Sequence, residues 1–422
     1  MLPYLCGMTN EKQQLYNTIA ILLAKVDSLT KEVEYLRNRL SKYETPKNSN
    51  NSSIPPSKDE NRLKRESLRE KTGRKPGGQE GRKGNTLKMV ETPDQTEKHI
   101  PSYCNCCGKD LSELPYAFAG KRQVFDIPEI KIKVTEHQVY KKVCTCGHET
   151  TSNFPSQANA PVSYGNNIES LIGYFHTRQY LPFLRMKELF NDVFQTPISE
   201  GGIHYLLNKL VRKSLPAYYL IKQKLQTDSL PVGGDETGVK VCANKHWAWT
   251  WQNEKATFVT ITDNRAQRSI EQTFENGFKK AVLVHDCWKS HFNTNALSHQ
   301  ICIAHLLRDL NYLTQRYNHK WSSVCKELFQ SALELKKHMA DVDYYIHNPK
   351  RSSLEKRLDR LLKVTLPKEH KELVGFQKRI LTHRDYIFTF LYHPKVPADN
   401  NASERAIRNI KVKQKISGQF KS

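Results

Sequence analysis

The first regular pattern in the chain repeats every seven residues. Leu15, Leu22, Leu29 and Leu36 share one heptad position, and Ile19, Val26, Val33 and Leu40 follow each of them by four. β-Branched residues facing one seam with leucines on the other favour a parallel two-stranded coil. A leucine-zipper coiled coil is therefore expected over residues 9–45; a helix packed on the chain's own core is the alternative. Pro46 ends the pattern, and the stretch PKNSNNSSIPPSKD that follows is too poor in apolar residues to fold. Residues 46–100 are expected to form a polar and basic linker. Helical periodicity returns over residues 160–228 in NIESLIGYFHTRQ, LPFLRMKELFNDVF and TPISEGGIHYLLNKLVRK, the last opening at Ser199 with Glu200 in its first turn. Two short helices joined by a turn, the second ending in Lys209, Arg212 and Lys213, fit a helix-turn-helix, although a plain bundle reads the same way.

Around Val232 the period changes from helical to extended. PVGGDETGVKVC, HWAWTWQN and ATFVTITDN read as three strands, SIEQTFENGF as a helix, and AVLVHDCW as a buried strand ending at a carboxylate. Three strands, a helix and a further strand have the layout of a ribonuclease H-like core, in which the first and fourth strands are neighbours. Asp235 on the first strand and Asp286 at the end of the fourth would then meet in space. Strongly helical, charged sequence from Leu306 to Tyr392 is too long for a connection within a compact sheet and reads as an inserted subdomain, residues 306–395. The core is expected over residues 229–305 and 396–422. Overall the pattern predicts a multidomain α+β protein: an N-terminal coiled coil, a small zinc module, a helical DNA-binding unit and the ribonuclease H-like α/β core with its helical insertion.

Charge narrows the partner. The formal net charge is +23, from 66 Lys and Arg against 43 Asp and Glu, which points to a polyanion because neutralised phosphates release their counterions. Lys58–Lys88 carries eleven Lys or Arg against five acids, and its GRKPGGQEGRKG segment offers Arg74, Lys75, Arg82 and Lys83 to a DNA backbone or minor groove. No apolar run approaches the roughly 20 residues that span a bilayer, and MLPYLCGMTN lacks the charged start of a signal peptide. No membrane partner and a cytoplasmic location are expected. Five of the ten cysteines lie within positions 104–146, in CNCCG and CTCGH turns. In a reducing compartment such crowding points to zinc, with Cys104, Cys107, Cys144 and Cys146 as ligands and Cys106 and His148 as spare candidates, over a module spanning residues 101–155. The alternating stretch VFDIPEIKIKVTEHQVYKKV between the turns is expected to form strands that bring them together.

Hard divalent cations prefer oxygen ligands, and a pair of them activates a nucleophile and stabilises the leaving oxygen of a phosphodiester. Two strand-borne aspartates suit such a site. Pro397–Lys411, PADNNASERAIRNIK, adds a helix on which Asn400, Asn401, Glu404, Arg408 and Lys411 share one face. Alone, Glu404 and Arg408 are an i,i+4 surface pair worth a few tenths of a kcal/mol. The order of the zipper, the basic segment, the paired cysteine turns, GGDETGVKV, VLVHDCWKSH, QICIAHLLRDL and PADNNASERAIR resembles the bacterial insertion-sequence sixty-six family of transposases along nearly the whole chain. That resemblance implies an Asp-Asp-Glu triad served by Mg²⁺ or Mn²⁺, at Asp235, Asp286 and Glu404, with Arg408 and Lys411 beside it on DNA phosphates. It also implies a structural Cys302–His305 signature, binding of inverted-repeat ends and target DNA by a dimer or higher assembly, and small companion proteins of the element. The chain stops at Gln419–Ser422, where similar proteins continue, so a truncated copy that only binds DNA is the competing expectation.

Overall fold

The computed structural model describes residues 10–44, 46–48, 51, 59, 81 and 86–421. The chain divides into two compact units. One holds the described residues before Lys64 together with Tyr164–Met186 and Glu200–Ser422; the other holds Arg65–Ser163 and Lys187–Ser199.

The heptad stretch forms one helix, α1 (Asn10–Glu44). All eight residues of its apolar stripe are exposed, Leu29 by 59% and Val26 by 58%, so the stripe packs on no described part of this chain. In the second unit, β1 (Lys141–Val143) and β2 (Glu149–Thr151) form an antiparallel hairpin. The strands expected across the preceding alternating stretch do not form before Lys141. Val124 and Val134 there are exposed; a strand needs a partner edge and a face to bury, and alternation alone supplies neither.

Helices α2 (Asn166–Thr177), α3 (Phe183–Asp192) and α4 (Glu200–Thr227) follow. Helix α4 runs past Pro216 and is longer than a recognition helix needs. Lys209 and Lys213 on α4 close on the buried Glu169 of α2 at 3.3 and 2.7 Å. Burial opposes ionisation of Glu169, and the two lysines outweigh it, holding the carboxyl below its ordinary range. These cations pin α2 to α4, because a buried carboxylate demands partners before solvent or a ligand can claim them.

The next segment builds a five-stranded sheet from β3 (Val232–Val241), β4 (Asn244–Gln252), β5 (Thr257–Thr262), β6 (Phe278–His285) and β7 (Ala296–Ile301). Helix α5 (Gln267–Thr273) precedes β6, and the single turn α6 (Lys289–Phe292) follows it. The strand order is β5-β4-β3-β6-β7, with β3, β4 and β5 antiparallel and β3-β6 and β6-β7 parallel. After Phe278, strand β6 exposes Lys279 and Lys280 and is apolar from Ala281 to Val284, where both its faces are covered. Ala281 and Leu283 join a cluster with Trp249, Trp251, Phe274 and Leu225 of α4, whereas Val282 and Val284 face the other way.

The second cluster belongs to the inserted helices α7 (Ile303–Tyr317), α8 (Lys320–His338), α9 (Pro349–Leu362) and α10 (Lys371–Thr382), and includes Leu310, Phe329, Leu358 and Ile380. Among the described residues no helix is long and apolar enough to cross a membrane. The last helix, α11 (Asn401–Ser417), lies against β3 and β4. Its approach depends on the first glycine of GGDET, while the second makes room for Trp251. A Cβ at Gly233 would stand 2.7 Å from the Asn400 amide oxygen and closer still to Ser403 Oγ, and one at Gly234 would stand 2.7 Å from the Trp251 ring. Gly233→Ala is therefore expected to lower the unfolding free energy by about 1–3 kcal/mol through overpacking. Thermal melting followed by tryptophan fluorescence checks this; an unchanged melting temperature would mean that α11 does not lie this close.

Candidate active site

Three separate parts of the chain supply the candidate acids. Asp235 sits within β3, Asp286 follows the last residue of β6, and Glu404 lies in the first turn of α11. The parallel register pairs Gly233 with Val284, so Asp235 and Asp286 each stand two residues beyond a paired position, at the same end of the sheet. Asn400 brings the third acid in. Its side-chain amide donates to Gly234 O at 2.7 Å and its backbone N–H to Cys302 Sγ at 3.3 Å, while its carbonyl accepts from Glu404 N–H at 3.2 Å. Ile303 N–H donates to Ala398 O at 2.9 Å, fixing the segment that leads into α11. The sulfur of Cys302 is thus a buried acceptor at a helix junction, and burial pushes its thiol up to about 11.

Asp286 and Glu404 both lie close enough to Asp235 for their charges to act on it. Burial, and after it the like charges of Glu236, Asp286 and Glu404, push the Asp235 carboxyl well above the usual carboxylate range. Against this, Asp235 accepts a hydrogen bond from the Glu236 N–H at 3.0 Å. Asp286 Oδ1 accepts from Trp288 N–H at 2.9 Å. Glu404 Oε1 lies 3.2 Å from Arg308 Nη2 and 3.6 Å from His305 Nε2, both on α7. Burial holds His305 below the usual imidazole range, so Arg308 supplies the positive charge. The i,i+4 partner expected from the sequence, Arg408, makes no ion pair with Glu404; the side chain reaches across to α7 instead.

A second set of residues escaped sequence reading. Glu236 has a nearly fully buried side chain and is held by Arg265 Nε at 2.6 Å and by His291 Nε2 at 2.9 Å. Burial opposes its charge, yet His291 and Arg265 keep it below the ordinary range; His291 is raised in turn, against its own burial, by Glu236, Asp286 and Asp235. The Arg265 guanidinium also lies 3.6 Å over the Trp288 ring. Arg265 therefore joins the residue after Asp235 to the residue whose N–H binds Asp286. Buried His285 donates from Nδ1 to Asp286 O, since a carbonyl only accepts, which leaves Nε2 to accept from His299 Nδ1 at 3.0 Å. The second acid of GGDET was the only sequence signal for this network; Arg265 and His291 lie 29 and 55 positions from Glu236.

The remaining candidates are placed as follows. Arg74, Lys75, Arg82 and Lys83 lie outside the described residues. Arg408 is exposed on α11, whereas the Lys411 ammonium donates to Gly238 O and ties α11 to β3, which removes it from the free cations expected there. Cys104 and Cys107 share one turn, with Cys104 N–H on Lys109 O and Gly108 N–H on Cys104 O at 2.8 and 2.9 Å. Cys144 and Cys146 share the β1-β2 turn, closed by Cys144 N–H on His148 O at 2.8 Å. Gly108 and Gly147 take φ of +70° and +83°, the left-handed conformation such turns need. Backbone N–H groups of the Cys106–Cys107 turn lower the Cys104 thiol, and those of Cys146 lower Cys144, which favours the thiolate that zinc binds. Each turn is suited to two zinc bonds, but among the described residues no group of three or more His, Cys, Asp or Glu is gathered closely enough to hold a metal, here or at the acids. The all-oxygen set of Asp235, Asp286 and Glu404 nonetheless has the chemistry and excess negative charge a hard divalent cation requires.

Three family models match the chain. One described as "Transposase IS66 family" covers residues 161–422, more than half of the chain, and contains all three acids. A second, the zinc-finger binding domain of transposase IS66, covers residues 101–147 and contains both cysteine turns. A third, a family of unknown function, covers residues 7–88. No curated protein matches the chain.

The raised Asp235 carboxyl sets a pH-dependent stability. In the folded chain Asp235 keeps its proton at pH values where the unfolded chain has lost it, so ionising it weakens folding as pH rises above the ordinary carboxylate range. Asp235→Asn is expected to raise the melting temperature of chelator-treated protein at pH ~8, with a gain that shrinks toward pH ~4. Equal effects at both pH values would show that Asp235 does not carry this strain.

Proposed function

The chain belongs to the IS66 family of transposases, and on that premise we propose that it cuts and joins DNA strands through Asp235, Asp286 and Glu404 on a ribonuclease H-like core. The single observation that carries this reading is the convergence of Asp235, Asp286 and Glu404 from β3, the end of β6 and α11, where burial, and after it Glu236, Asp286 and Glu404, push the Asp235 carboxyl up. Isolated strand-end carboxylates do not crowd one another; acids that jointly bind cations do. The strand order β5-β4-β3-β6-β7, with three antiparallel strands followed by two parallel ones, supports the core assignment.

Asp235, Asp286 and Glu404 would hold Mg²⁺ or Mn²⁺, which when bound supplies Lewis acidity and an activated oxygen nucleophile for phosphodiester cleavage. The chain's own residues do the rest. Arg265 and His291 fix Glu236 and so the strand that carries Asp235, while His285 fixes the Asp286 carbonyl. Asn400 sets the height of α11 on β3, and with it Glu404. Arg308 neutralises Glu404 at 3.2 Å and so limits the repulsion that the cluster bears. Exposed Arg408, one turn beyond Glu404, would meet a phosphate of the bound strand, and the basic sequence of Arg74, Lys75, Arg82 and Lys83, outside the described residues, would add further phosphate contacts. The exposed leucine stripe of α1 pairs two copies as a parallel coil, which supplies two cores for the two element ends, in the bacterial cytoplasm.

Asp235→Ala, Asp286→Ala and Glu404→Ala are each expected to reduce Mg²⁺- or Mn²⁺-dependent nicking of inverted-repeat DNA by roughly 10³-fold or more, with binding to the same DNA retained. Nicking that survives all three substitutions would remove the triad, and protein that footprints the repeats yet never nicks them with any divalent cation would favour a DNA-binding role without chemistry. For the zinc module, elemental analysis of purified protein should find about one zinc per chain, reduced by Cys107→Ser and by Cys144→Ser. Unchanged zinc content in both variants would exclude these ligands.

A further inference from the structure

The polar sequence after Pro46 was expected to stay free of the folded units, yet part of it is buried. Asn51 is 3% exposed and Asn48 8%, values rare for asparagine in a linker. The two side chains close a reciprocal turn, with Asn48 N–H on Asn51 Oδ1 at 2.8 Å and Asn51 N–H on Asn48 Oδ1 at 3.1 Å. The Asn51 amide then donates to Pro46 O at 3.2 Å and to Gln315 Oε1 on α7 at 3.0 Å. Lys47 lies 3.3 Å from Glu372 Oε1 on α10 and 4.7 Å over the Tyr312 ring. The receiving surface is itself organised: Glu372 Oε2 accepts from Tyr312 OH at 3.0 Å and from Arg316, and Arg316 also donates to Tyr312 OH at 2.6 Å. These hydrogen bonds and this ion pair join polar groups, which is why an apolar pattern gave no sign of them.

We propose that Pro46, Lys47, Asn48 and Asn51 form a docking segment, and that the face of the helical insertion made by Tyr312, Gln315 and Glu372 is its receptor within the same chain. The consequence is geometric. Asn51 and Gln315 are 264 positions apart, so without the dock the insertion is joined to α1 only through a long path of covalent chain. With it, Lys47 meets the insertion three residues after the end of α1 at Glu44, a span of about 10 Å at most. Helix α7 carries the receptor on its last turns and His305 and Arg308, the neighbours of Glu404, on its first turns. The dock thus ties the heptad helix to the element that contacts the third acid. The contact stands without the transposase reading; only its use, holding two cores close to one zipper, rests on pairing of α1.

Hydrogen exchange on the full-length protein tests the dock without requiring activity. The Asn48 and Asn51 amides, both bonded to side-chain oxygens, should exchange slowly. Gln315→Ala should speed them by roughly three- to tenfold, the ratio expected for loss of one side-chain hydrogen bond, while the amides of α7 and α10 stay protected. Lys47→Ala, which removes the second anchor from the linker side and leaves the insertion's sequence intact, should have a similar effect. Amides that exchange at unprotected rates in the unaltered chain, or protection that ignores both substitutions, would overturn the proposal. Protection that disappears on dilution to the monomer would also overturn it, by assigning the dock to a second copy.

Discussion

Asp235 is a carboxyl group held in a buried position with three other carboxylates close enough to repel it, and the rest of the core is arranged to keep it there. Like charges in a poorly solvated site separate unless packing and hydrogen bonds hold their backbones apart from that choice. Here the holding is done from three sides. Parallel pairing of β3 with β6 places two acids at one end of the sheet, and Gly233 lets α11 approach close enough to deliver a third. Arg265, bonded to Glu236 and stacked on Trp288, braces the strand and the loop that carry the aspartates. Charge compensation comes next to the acids rather than from them: His291 and Arg265 balance Glu236, and Arg308 balances Glu404. Among the described residues Glu236 and Glu404 each have an ion-pair partner, whereas Asp235 and Asp286 have none.

Much of this frame is legible in the sequence because it is written in periodicity. Strands β3, β4 and β5 follow alternation, β6 follows an unbroken apolar run that two-sided burial requires, and the long helical stretch after Cys302 becomes α7 to α10. The approximate company of the acids follows from strand adjacency. What periodicity does not carry is polar contact between distant positions. Glu236 with His291, Lys209 and Lys213 with Glu169, and Asn51 with Gln315 leave no mark on a hydrophobic pattern, since each is one residue meeting another far along the chain. Lys411 read as a DNA contact because a lysine on a helix looks the same whether it ends in solvent or on a carbonyl. The stretch before Lys141 shows the converse, alternation with no face to bury and therefore no strand.

The insertion changes meaning once its contacts are known. By length alone it is an interruption of the sheet, but its first helix runs from the neighbours of Glu404 to the surface that receives the segment after α1. One helix therefore contacts both Glu404 and the segment that follows the heptad helix. The zinc module contributes separately, with two tight glycine-containing turns that favour the thiolate at Cys104 and at Cys144.

The central claim is that Asp235, Asp286 and Glu404 are ligands of one divalent-cation site. Anomalous diffraction from crystals of the full chain with Mn²⁺ and a DNA duplex bearing an element end tests it most directly. The account predicts Mn²⁺ within about 2.0–2.3 Å of oxygens from all three side chains. Manganese bound elsewhere, or bound by the aspartates while Glu404 stays on Arg308, would contradict it.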